Sequence, residues 1–96
     1  MDTLLLVAIA MAVERRVRSL SAQELANTVW AFATGGWADS LLFSVVARAA
    51  DQRMSEFMAQ NLANTAWAFA KVGEANVFFL MRLAKAAKLR ISDSNP

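Results

Sequence analysis

The chain copies itself. Leu25-Ala26-Asn27-Thr28-Val29-Trp30-Ala31-Phe32-Ala33 returns 37 residues later as Leu62-Ala63-Asn64-Thr65-Ala66-Trp67-Ala68-Phe69-Ala70. Laid without gaps on residues 57–93, residues 20–56 share 17 identities. The matches extend past the motif, pairing Gln23 with Gln60, Gly36 with Gly73, Ala47, Ala49 and Ala50 with Ala84, Ala86 and Ala87, and Arg53 with Arg90. A fixed period of this length marks a stack of supersecondary units, none of which can bury its apolar face alone. The same shift run backwards lays residues 4–10 on 41–47 and on 78–84. Asp2, Asp39 and Asn76 fall just before these three apolar runs, and all are good helix N-cap types. Arg16, Arg53 and Arg90 fall near their ends.

The predicted order is therefore a second helix in residues 1–19, a full helix pair in 20–56 and another in 57–93. Residues 94–96 would open a further repeat, since Asn95 and Pro96 suit the N-cap and first helical positions. The whole chain, residues 1–96, reads as a single five-helix fragment of a longer α-solenoid array.

Composition agrees with helix throughout. Proline occurs only as Pro96, glycine only as Gly35, Gly36 and Gly73, and 57% of residues are hydrophobic against 19% charged. Residues 4–13 are continuously apolar up to Glu14, but a membrane helix needs about 20 such residues. The only charge ahead of that run is Asp2, which is the wrong sign for a secretory leader. The repeat explains the run without either, so no membrane partner is expected.

Catalysis is poorly served. The chain has neither cysteine nor histidine, which excludes disulfides, zinc sites of the usual type and histidine acid–base chemistry. Its eight acidic residues are scattered, and Glu14 with Arg18 reads as surface charge. No phosphate-binding glycine loop or metal-ligand spacing occurs. The expectation is a non-enzyme with no cofactor and no metal. A net charge of +2 is compatible with a polyanionic partner and does not demand one.

Within each pair, the first helix is predicted over 22–34 and 59–71. Ser21 and Glu24 form a capping box. Met58 stands where Ser21 does, so the cap of the second copy is expected to move to Ser55. Gly36 and Gly73 lie where a helix end needs a positive φ. At about 100° per residue, Leu25, Ala26, Val29, Phe32 and Ala33 share a face. Gln23, Glu24, Asn27, Thr28, Ala31 and Thr34 oppose it, with Trp30 at the border. The second helices are more apolar, as elements pressed between neighbouring units should be.

The nine-residue motif, present twice, resembles the octotricopeptide repeat family and the related RAP-associated arrays of algal and dinoflagellate proteins. The link between helices here is Gly35-Gly36-Trp37 or Val72-Gly73-Glu74, where that family commonly carries proline. The resemblance implies a modular, non-catalytic binder of single-stranded RNA, acting in a chloroplast or mitochondrion on RNA stability, processing or translation. Protein partners of a scaffold are the alternative, because α-solenoid surfaces also bind peptides and domains.

Helical-repeat RNA binders read about one base per repeat with two or three side chains. First helices usually line the concave surface, so the expected base readers are Gln23, Glu24, Asn27 and Thr28, then Gln60, Asn61, Asn64 and Thr65. Their amides, hydroxyls and carboxylate offer mixed donors and acceptors. Structurally, the same residues could instead bond a neighbouring helix or simply face water. Trp30 and Trp67 are candidates for base stacking, with packing between repeats as the competing role. Arg16, Arg53 and Arg90 are candidates for phosphate contact near helix N-termini. Complementing the C-terminal dipole of the second helix is their alternative.

Overall fold

The computed structural model describes residues 3–74 and 76–94. It is all-α among those residues, with α1 (Thr3–Arg16), α2 (Ala22–Thr34), α3 (Ser40–Gln52), α4 (Ala59–Val72) and α5 (Val77–Ser94). A 3-10 turn, Met54–Glu56, joins the two pairs. No described helix is long and apolar enough to cross a membrane.

Like packs on like. α2 lies against α4 and α1 against α3, while α2–α3 and α4–α5 form the hairpins. The result is elongated, 47 × 26 × 20 Å, as solenoid-like stacking requires. One continuous core runs through it, from Ala10 of α1 to Ala86 of α5. At its centre the ring of Phe69 meets those of Phe43 and Phe79 edge-on, each with centroids 4.9 Å apart. Phe69 thus ties its own hairpin to the preceding one.

Helix ends repeat the same local chemistry. Asp39 Oδ1 accepts the Leu42 N–H at 2.9 Å, and Asn76 Oδ1 accepts the Phe78 N–H at 2.7 Å. Asp2 and the Asn95-Pro96 pair lie outside the described residues. Gly36 and Gly73 have φ of 78° and 72°. At both, the next N–H reaches back to the phenylalanine carbonyl, Trp37 to Phe32 at 2.9 Å and Glu74 to Phe69 at 3.1 Å. Both first helices therefore close with the same glycine-dependent turn.

One expectation at an element boundary is corrected. The cap of α4 does not move to Ser55, which sits in the 3-10 turn. Met58 itself takes the N-cap position, with φ −80° and ψ 165° against −73° and 165° at Ser21. Half of the box survives, because Asn61 Oδ1 accepts the Met58 N–H at 3.0 Å, as Glu24 Oε1 accepts that of Ser21 at 2.8 Å. α5 continues helically to Ser94, whereas the first copy has already turned into its connector at the matching position. In that first copy the buried Phe57 anchors the departing chain.

The missing half of the α4 cap makes a prediction. Met58 is exposed, so replacing it by serine sacrifices no packing. Met58→Ser should restore the hydroxyl acceptor for the Asn61 N–H and stabilise the protein by about 0.5–1.5 kcal/mol. Thermal unfolding should then shift upward by roughly 4–8 °C per kcal/mol gained. An unchanged midpoint would mean that the N-cap backbone is not held in the geometry it shares with Ser21.

Candidate nucleic-acid interface

The eight expected base readers divide into two rows. Gln23, Asn27, Gln60 and Asn64 occupy one side of their helices, next to the tryptophans. Gln23, Asn27 and Gln60 are exposed and Asn64 is half-buried. Among the described residues none of these four amides makes a hydrogen bond, so their donors and acceptors remain available. The expected alternative, an amide bonded to the neighbouring helix, is not what Asn27 and Asn64 do.

Glu24, Thr28, Asn61 and Thr65 form the other row, and each has local work. Glu24 and Asn61 cap the N-terminal turns described above. The hydroxyl of Thr28 donates to the Glu24 carbonyl at 2.7 Å, and that of Thr65 donates to the Asn61 carbonyl at 2.8 Å. Thr65 is also fully buried, at 0% exposure, beneath α2. A side chain there cannot meet a base, and Thr65 is removed from the set of readers. The difference between Glu24 and Asn61 is likewise a substitution within one capping role rather than a difference in reading.

Trp30 and Trp67 provide the surface that links the two free pairs. Their ring centroids are 6.3 Å apart with planes tilted by 35°, and each ring residue keeps 46% of its surface exposed. Packing between repeats is therefore real, but each tryptophan packs on the other at the surface and leaves apolar ring area in water. Lys71 extends this platform, with its ammonium 5.6 Å from the Trp67 ring centroid. Sequence reasoning passed over Lys71, although it stands four residues after Trp67 and so shares its face. In α2 the same position is Thr34, whose hydroxyl turns back to the Trp30 carbonyl at 2.8 Å.

Arg53 and Arg90 bond carbonyls within the chain. Arg53 sends one guanidinium N–H to the Val17 carbonyl at 3.1 Å and forks two others onto Glu56 at 3.0 and 3.1 Å. Arg90 repeats the long-range contact one unit later, reaching the carbonyls of Met54 and Phe57 at 3.3 and 3.1 Å. Val17 and Met54 are themselves 37 residues apart. Each arginine thus bonds the connector that precedes the first helix of its own pair, tying the hairpin's exit to its entrance. Arg53 also occupies the C-cap of α3, where its charge faces the negative end of the helix dipole. Hydrogen bonding from Arg53 holds the Glu56 carboxyl below its ordinary range and raises the guanidinium. Arg16 is exposed at the end of α1.

No group of three or more acidic, histidine or cysteine side chains is placed to hold a metal among the described residues. What the site can do is non-covalent: stack planar groups on two rings, bond their edges with four amides and offer one cation. Comparison with protein-family models, curated proteins and solved structures finds no match.

Proposed function

We propose that this chain is a non-catalytic, single-stranded RNA-binding module of the helical-repeat kind, belonging to a factor that acts on organellar RNA stability, processing or translation. One observation carries the reading. Two half-exposed tryptophans sit 6.3 Å apart at the repeat spacing, flanked on each helix by a free glutamine and a free asparagine. Every base has a π-face, so such a platform accepts successive bases without strict sequence demand. The amides then meet base edges, and Lys71 contributes a charge to the phosphate backbone.

Two repeats span only about two bases, so intrinsic affinity is weak. The suitable test is quenching of tryptophan fluorescence by a short single-stranded RNA pool, at low and at moderate salt. Saturable quenching that weakens with salt is expected. No quenching at about 1 mM RNA, a limit corresponding to roughly 4 kcal/mol of binding, sinks the reading.

A protein-interaction scaffold is the second reading, and it too has an observation behind it. Phe78 and Met81 on α5 are large apolar side chains standing well out in solvent. Partners retained after nuclease treatment would favour it.

A further inference from the structure

A groove of about 360 Å³ lies between α1 and α2, lined by Leu6, Ile9, Asn27, Thr28, Ala31, Phe32 and Trp37. One repeat later Leu6, Ile9, Thr28, Ala31 and Phe32 correspond to Phe43, Val46, Thr65, Ala68 and Phe69. All five counterparts are at most 1% exposed. The cover is α2, which packs on α4 through a flank of small residues. Ala22, Ala26, Val29 and Ala33 of that flank are buried, whereas Ala63 and Ala70, their counterparts on α4, are exposed. Each first helix therefore has a receiving flank of threonine and alanine and a covering flank of alanines. Between α2 and α4 the two flanks meet. On α2 the receiving flank is open, with Ala31 exposed and Thr28 half-buried.

We propose that the α1–α2 groove is a socket for one amphipathic helix with small residues at the spacing of Ala22, Ala26, Val29 and Ala33. The occupant continues the α2–α4 interface by one step, which sets both its face and its direction. It is a single helix and not a hairpin. α1 already fills the place of the second helix, packed on α3 as the stacking demands. A second copy docking its α4–α5 pair would drive α5 into α1. The groove lining carries no charged side chain, so the contact is apolar and tolerant of salt.

A labelled peptide of residues 21–36, titrated with the whole protein and followed by fluorescence anisotropy, tests this. Saturable binding is expected, nearly independent of salt between 50 and 200 mM on the scale where exposed charges are screened (about 10 Å). Ala31→Arg in the protein should weaken it at least tenfold, since it places a guanidinium where the buried Ala68 sits one repeat on. Ala31 is exposed, so that variant keeps its fold, as circular dichroism will verify. Ala26→Arg in the peptide should weaken binding equally, while Ala70→Arg in the protein should leave it unchanged. Failure to saturate at ~1 mM protein overturns the proposal. So does binding that is insensitive to Ala31→Arg or lost with Ala70→Arg. The proposed RNA platform shares Asn27 with the groove, but Trp30 and Trp67 lie outside its lining, so replacing both tryptophans by alanine should leave peptide binding unchanged and keeps the two tests distinguishable.

Discussion

Phe69→Ala is expected to leave much of the protein unfolded at 25 °C. The ring is 1% exposed and touches Phe43 on one side and Phe79 on the other, so three helices share it. Truncating a buried phenylalanine costs about 3–5 kcal/mol through lost transfer energy and the cavity left behind. The two edge-to-face contacts add roughly 0.5–1.5 kcal/mol each beyond area. Against this stands a stability of roughly 0.05–0.15 kcal/mol per residue for ordinary domains. A chain of 96 residues with open flanks on α2 and α4 belongs at the low end. Denaturant titration followed by far-ultraviolet circular dichroism should give a midpoint near zero for the variant. Phe69→Leu should recover a measurable transition, because it refills most of the volume. A Phe69→Ala protein with a wild-type midpoint would contradict the packing that joins the two hairpins.

The second large effect belongs to the platform. Replacing Trp30 and Trp67 together by alanine should reduce RNA affinity at least about thirtyfold, since stacking contributes roughly 1–3 kcal/mol per base. The fold should survive, because the rings pack on each other at the surface rather than in the core. Trp37 is the remaining tryptophan and lies elsewhere, so binding of the double variant is best followed by anisotropy of labelled RNA. Lys71→Gln should behave differently, lowering the salt dependence by roughly one counterion while leaving stacking intact. Equal affinity for the double variant and the parent protein would remove the tryptophans from the interface and the proposed function with them.

Glu56 allows a check at acid pH. Its carboxyl is held low by Arg53, so this contribution to stability is complete above the ordinary carboxylate range. It is lost as pH falls through the depressed value. Glu56→Gln should flatten that part of the acid limb, with the rest of the curve retained, as seen by thermal unfolding across pH.

Much of this molecule is written along the chain. The period of 37, the helix limits at Ala22 and Thr34, the caps at Ser21, Asp39 and Asn76 and the left-handed glycines are all local. They depend on a few neighbouring residues, so reading those residues suffices. The core faces were legible too, because Leu25, Val29 and Phe32 carry a strong apolar signal at helical spacing. Arg53 and Arg90 were noticed for their spacing, but their carbonyl partners are more than 30 residues away.

The candidate site divides along the same line. Sequence alone marked out the polar face of the first helices and set the tryptophans beside it. Only the tertiary structure decided which half of that face is free. Thr28 and Thr65 have identical neighbours from Leu25 to Thr28 and Leu62 to Thr65, yet one is half-buried and the other sealed. The cause is lateral docking of α2 on α4 through alanines and a threonine. Residues that small and weakly apolar leave almost no periodic signal, because close helix approach depends on their size, which hydropathy does not measure.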